Sequence, residues 1–164
     1  MAPLSGLLGG HVDQVALIVP DLESAMDGYT GSLGVSFHQF DVDQDMGSFS
    51  GSSAQFRVRI AVAQVGTCSI ELIQPASGVT FYSKHLETHA PGVHHFGVYV
   101  DDLAKARTGL AARGYRAILD GNIRDLGEFS YFEAPDLHCV VEPLQLSLKL
   151  PLFLAKHARI YHGR

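Results

Sequence analysis

Residues 93–103 read VHHFGVYVDDL and residues 12–22 read VDQVALIVPDL, and the two stretches overlay at an offset of 81. Val12 falls on Val93, Gln14 on His95, Val19 on Val100, Asp21 on Asp102 and Leu22 on Leu103. Each is a short apolar, β-rich run ending at an aspartate placed to cap a helix. Helical spacing follows in both copies: Leu22, Ala25, Tyr29 and Leu33 up to Gly34, then Leu103, Ala106, Leu110 and Ala111 up to Gly114. Gly28 and Gly31 weaken the first helix intrinsically, so packing must hold it. Near the end of each half the register returns. CSIELIQ at 68–74 and CVVEPLQ at 139–145 share C-x-x-E-x-x-Q, now at an offset of 71. The first half therefore carries ten extra residues, most simply in its polar loop or in the connector.

Between these anchors, Phe56–Val65 and Thr67–Ile73 read as strands around a turn at Gly66. Residues 41–54, DVDQDMGSFSGSSA, are polar and glycine-rich without a period and read as a loop or hairpin connection. Each half is strand, helix, then about three strands. The fold class is α+β, with two tandem βαβββ modules at 10–74 and 93–145 and helices near 22–33 and 103–113. A connector at 75–92 holds a short helix over Phe81–Glu87, and an extension follows at 146–164. Neither half can cover its own apolar sheet face, so the copies share a core. In the extension, Pro151 interrupts the chain and Leu152–Tyr161 suits a short amphipathic helix.

The chain has 164 residues, of which 46% are hydrophobic and 18% charged, enough to bury a substantial core. A net charge of -5 disfavours a nucleic-acid partner. Apolar runs such as Val15–Pro20 are too short to span a bilayer, and Met1–Gly10 lacks the Lys or Arg of a secretory signal. Two cysteines, Cys68 and Cys139, do not make a disulfide framework, which points to a reducing cytoplasm. Nine histidines against twelve Lys plus Arg make a metal or acid–base site worth seeking.

A duplicated fold places matched positions around a pseudo-two-fold axis. Two matched pairs are polar inside apolar strands: Gln14 with His95, and Glu71 with Glu142. An ionised carboxylate there is costly unless a cation or strong donors meet it. Two carboxylates, one imidazole and one amide oxygen make a natural divalent-metal site, with Gln14, Glu71, His95 and Glu142 as ligands. On an octahedral ion they would leave two positions for water or substrate. The alternative is that both glutamates face solvent while Gln14 and His95 are ordinary buried polar groups.

The pattern HVDQVALIVPDLESAMDGYTGSLGV, with IELIQP, PGVHHFGVYVDDL and VVEPLQ, resembles the vicinal-oxygen-chelate superfamily over about residues 11–145. It is most similar to the branch containing glyoxalase I and methylmalonyl-CoA epimerase. The resemblance implies paired βαβββ modules forming a cup, with a divalent metal held at positions that fall on Gln14, Glu71, His95 and Glu142. Zn, Ni or Co is implied ahead of Fe. His94 is expected on the opposite face of its strand from His95. Departures bear on the chemistry. The epimerases usually carry His where Gln14 stands, and glutamine there resembles the zinc-dependent glyoxalases. Their second acid–base glutamate matches the stretch QFRVRIAVAQ, which holds Arg57 and Arg59 and no carboxylate. The glutathione-recognising arginine falls on Ile18, against glutathione as substrate. Gln14 in place of a histidine argues against extradiol dioxygenase chemistry.

Such a site stabilises an enolate when an α-proton leaves. Glu142 matches the glyoxalase base position and is the candidate general base, with Glu71 second. Arg57 and Arg59 alternate on one strand face and are candidates for binding a substrate carboxylate or phosphate, or simply an arginine pair on the outer sheet face. Cys68 and Cys139 read as packing thiols. His85, His89, His157 and His162 read as solvent-exposed, and His138 as a turn residue beside the last strand. The expected function is an isomerase, epimerase or lyase acting α to a carbonyl of a small molecule, in a cytoplasmic homodimer. The alternative is a binding protein of the same fold that sequesters a ligand without chemistry.

Overall fold

The computed structural model describes residues 8–163. Its elements are β1 (Gln14–Ile18), α1 (Leu22–Leu33), β2 (Phe37–Asp43), β3 (Gly47–Phe49), β4 (Arg57–Val65), β5 (Cys68–Ser77), α2 (Phe81–Thr88), β6 (Gly92–Tyr99), α3 (Leu103–Ala111), β7 (Arg116–Ile123), β8 (Gly127–Ala134), a 3-10 turn (Pro135–Leu137), β9 (Cys139–Leu146), α4 (Leu150–His157) and β10 (Arg159–Tyr161). All ten strands form one sheet in the order β10-β2-β4-β5-β1-β6-β9-β8-β7-β3. The module order β1-β5-β4-β2 is repeated as β6-β9-β8-β7, and the halves meet where β1 pairs antiparallel with β6. No helix among the described residues is long and apolar enough to cross a membrane.

The helix starts follow from the repeat. The Ser24 N–H donates to Asp21 Oδ1 at 2.7 Å and the Lys105 N–H to Asp102 Oδ1 at 2.9 Å, so both aspartates are N-caps. The glutamine of each C-x-x-E-x-x-Q supports the same spot: Gln74 Oε1 accepts from Leu22 N–H, and Gln145 Oε1 from Leu103 N–H at 2.8 Å. On a strand, positions three apart face opposite ways. The motif thus sends its glutamine toward a helix on the outer face and its glutamate toward the inner face.

The polar stretch 41–54 is the largest departure from expectation. It extends β2 to Asp43 and then supplies β3, which pairs with β7 of the other module. β2 is next to one end of the sheet and β3 is the other end, yet residues 44–46 alone join them. Three residues span roughly 10 Å at most, so the sheet must curl until its ends meet. The ten-residue surplus sits here: residues 44–56 separate β2 from β4, whereas 124–126 separate β7 from β8.

The inside of the curl is one apolar cluster drawn from both modules, including Phe40, Val58, Ile60, Val62, Phe129 and Leu144. The outer faces carry separate clusters, α1 over Phe37, Ala61 and Leu72, and α3 over Val98, Phe132 and Val141. The extension also differs from expectation. Pro151 lies in the first turn of α4, where its missing N–H costs nothing. The helix ends at His157, and Arg159–Tyr161 returns as a strand on β2. Phe153 of α4 is fully buried edge-on against Phe40, so the extension closes one side of the cup.

Candidate active site

β1 and β6 cross the middle of the sheet, and their register sets the site. Gln14 lies opposite Gly97, and Ala16 opposite His95. β5 runs parallel to β1 with Glu71 beside Ala16, and β9 runs parallel to β6 with Glu142 beside Gly97. Each large polar side chain therefore sits next to a small residue. Gly97 has no room to spare: a Cβ there would stand 3.1 Å from both Gln14 Oε1 and Glu142 Oε2.

The four matched side chains converge within one chain. His95 is fully buried, and Gln14 and Glu142 are each 5% exposed. His95 Nε2 lies 3.2 Å from Glu142 Oε2 and 3.6 Å from Glu71 Oε2. Yet among the described residues it makes a hydrogen bond to neither. Burial, then the neighbouring Glu142 carboxylate, push Glu71 well above the usual carboxylate range, against a hydrogen bond from Gln14. Among the described residues, no group of three or more His, Cys, Asp or Glu side chains stands in metal-site geometry as it is.

Gln14, Glu71 and Glu142 open onto a cavity of about 30 Å³, walled by apolar and aromatic side chains of both modules and by Leu150. The Tyr82 and Tyr131 hydroxyls hydrogen-bond each other at 2.9 Å across this wall, and burial raises both phenols.

Arg57 and Arg59 do not face the cavity. The cup face of β4 is Val58, Ile60 and Val62, and the arginines project on the other side. Arg57 pairs with Asp41, and Arg59 donates to Glu23 of α1 and to Gln74. Strand alternation turns both away from the cup, Arg57 toward Asp41 of β2 and Arg59 toward α1, so the outer-face alternative describes this pair.

His94 also departs from strict alternation. Between Ala16 and Leu17 the pairing on β6 steps from His95 to Val93, so His94 is the extra residue of a β-bulge. A bulge breaks the period of two. His94 is buried beside His95, against Phe81 and Tyr131 of the cup. Its Nδ1 lies 2.9 Å from His95 Nδ1, and burial, then His95, His85 and His89, pull it down to about 2. Nothing in the sequence beyond the doubled histidine signals this contact.

Other histidines divide. His89 and His162 are exposed, but His85 is half-buried and stacks on His89. His157 is half-buried against Phe153 and bonds Asp125 at 2.9 Å. Burial, then Asp136, push the Cys139 thiol up, in keeping with a packing role.

Comparison with known proteins places the fold. An ethylmalonyl-CoA/methylmalonyl-CoA epimerase of Cereibacter sphaeroides is 29% identical over 113 residues, covering 68% of this chain and 77% of that protein. The crystal structure of methylmalonyl-CoA epimerase from Mycobacterium tuberculosis superposes with a TM-score of 0.68 at 22% identity, over 93% of this chain and 97% of that one. A Streptomyces coelicolor methylmalonyl-CoA epimerase variant in complex with 2-nitronate-propionyl-CoA gives 0.61 at 18% identity, over 83% and 96%. These structures share the fold. Residues 13–132 match the family model described as Glyoxalase/Bleomycin resistance protein/Dioxygenase superfamily, and the chain belongs to that superfamily.

Proposed function

We propose that this chain is a metal-dependent epimerase that removes and returns a proton α to the carbonyl of an acyl-CoA. The observation that carries the reading is His95 Nε2, buried, close to two carboxylates and hydrogen-bonded to neither. A buried carboxylate pair repels unless a proton or a cation lies between its members. Gln14, Glu71, His95 and Glu142 would hold a divalent ion, and their oxygen and nitrogen donors suit Zn, Ni or Co ahead of Fe. When bound, that ion supplies Lewis acidity that favours negative charge on a carbonyl oxygen. The similarity to the Cereibacter sphaeroides epimerase supports the reaction class and the acyl-CoA substrate.

The chain's own residues do the rest. Glu142 takes the α-proton, the role implied by its match to the glyoxalase base position, and it borders the cavity together with Glu71. Glu71 comes from the matching strand across the seam, enters the cycle protonated and gives that proton to the other face of the carbon, which inverts it, while Glu142 keeps the proton it took. No carboxylate on β4 competes for this role, since the cup face of that strand is apolar. The aromatic wall excludes bulk water, which would otherwise screen the developing charge. The cavity has room for about one water molecule, so binding an acyl group there requires the apolar wall to part. The four residues come from a single chain, so a homodimer is not needed to complete the cup.

Deuterium uptake from solvent at C2 of methylmalonyl-CoA is the test. Uptake by the metal-loaded protein that is lost in Glu142→Gln supports the reading. Uptake unchanged in Glu142→Gln moves the base to Glu71. Binding of the thioester without uptake, metal present, sinks the epimerase reading in favour of sequestration.

A further inference from the structure

The bulge in β6 places two imidazoles against each other, and the contact requires one specific distribution of hydrogens. His94 Nδ1 and His95 Nδ1 are 2.9 Å apart. A hydrogen bond at that distance needs one nitrogen protonated and the other bare. The His95 ring has its remaining nitrogen between Glu71 and Glu142. A hydrogen on that Nε2 would be aimed at neither carboxylate, since neither lies in hydrogen-bond geometry.

We propose that His94 is the positioning residue for His95: its bare Nδ1 accepts the Nδ1–H of His95 and so leaves the His95 Nε2 lone pair facing the two glutamates. This rests on the metal-site reading above. A histidine that ligates a metal ordinarily donates its other N–H to a carboxylate or carbonyl, which fixes tautomer and ring orientation. A neutral imidazole serves here for an electrostatic reason. Two glutamates already face the ion's place, and a third carboxylate behind His95 would add negative charge to a buried site. Packing fixes His94 in turn: its ring meets Phe81 at 5.3 Å, His85 at 4.8 Å and Tyr131 at 5.5 Å between centroids. The first module has no counterpart. The position matching His94 is Asp13, whose carboxylate accepts the Tyr99 N–H at 2.8 Å, and its neighbour Gln14 has no tautomer to set.

Two variants separate positioning from packing. His94→Asn keeps an acceptor near the place of Nδ1, while His94→Phe fills the ring space without one. Zinc affinity is read by chelator competition, and the Co²⁺ absorption spectrum reports ligand geometry. Imidazole ¹⁵N shifts of the metal-free protein report which nitrogen of His95 carries hydrogen. The expected result is a loss of about 10–100-fold in zinc affinity for His94→Phe, with an altered cobalt spectrum. His94→Asn should recover most of the affinity, and wild-type His95 should be protonated at Nδ1. Wild-type affinity in His94→Phe overturns the proposal. So does equal loss in both variants, or a His95 protonated at Nε2 in the metal-free wild type. Failure of the wild type to bind zinc or cobalt sinks the metal reading instead, and the ¹⁵N pattern still judges the imidazole pair by itself.

Discussion

The two halves of the chain repeat one fold but treat their two faces differently. On the outer face, a charged group bridges helix and sheet in both halves, and the signs are exchanged. Module one puts Arg59 on the sheet and Glu23 on the helix. Module two puts Arg107 on the helix and Asp120 on the sheet, with Ser130 bonded to both. At the seam the positions correspond but the groups are not exchanged: Gln14 and Glu71 come from one half, His95 and Glu142 from the other. A pair at the surface needs only complementary charge, and either element can supply either sign. A buried constellation needs given atoms at given places, so small residues, Ala16 and Gly97, and a bulge are spent on it.

The sharpest way to break this comparison is to exchange the carboxylates for amides one at a time. Glu142→Gln should lose α-proton exchange by about 10²–10⁴-fold, and Glu71→Gln by less, both measured as deuterium uptake. Equal losses would show that the halves share the first proton transfer. A second asymmetry is the extension, whose β10 pairs with β2 of module one while Lys156 and His157 of α4 hold Asp125 of module two. Phe153→Ala should destabilise by about 3–5 kcal/mol in urea unfolding, as for other fully buried aromatics. A loss under about 1 kcal/mol would mean that α4 merely rests on the cup.

The seam itself is probed by its two small residues. Gly97→Ala forces a Cβ to 3.0–3.1 Å from Gln14 and Glu142, so it should weaken zinc binding and cost about 1–3 kcal/mol from overpacking. Ala16→Gly relieves space and should leave zinc affinity near wild type. Indistinguishable zinc titrations would end the argument that Gly97 limits the convergence.

The smallest effect lies on the outer face. The hydrogen bond from Arg59 is the largest cause lowering the Glu23 pKa. A carboxylate lowered in the folded state contributes stability above its unfolded value, about 4.3, and loses it as pH falls through the folded value. Arg59→Met should therefore cost about 0.2–1 kcal/mol at neutral pH, a half-buried surface pair still being screened. The gap from wild type should close on acidification. A gap that is constant with pH would assign the effect to packing of the arginine stem on α1.

The local pattern of residues determined the repeat, the strands β1 and β6, the helices that follow Asp21 and Asp102, and the four polar positions at the seam. The elements depend on periodicity and capping among near neighbours, and the repeat and the seam positions on overlaying the two halves, all of which the sequence displays directly. Only the tertiary structure decided the rest. Residues 47–49 have no apolar alternation, and they become a strand because β7 offers an open edge across the cup. His94 leaves the period of two because β1 and β6 must pair through a bulge. Arg57 and Arg59 alternate as well as any site residues would. The side they take was fixed by Val58, Ile60 and Val62 entering the shared core. In each case the decisive partner lies on another strand, far along the chain, and only the folded sheet brings it near.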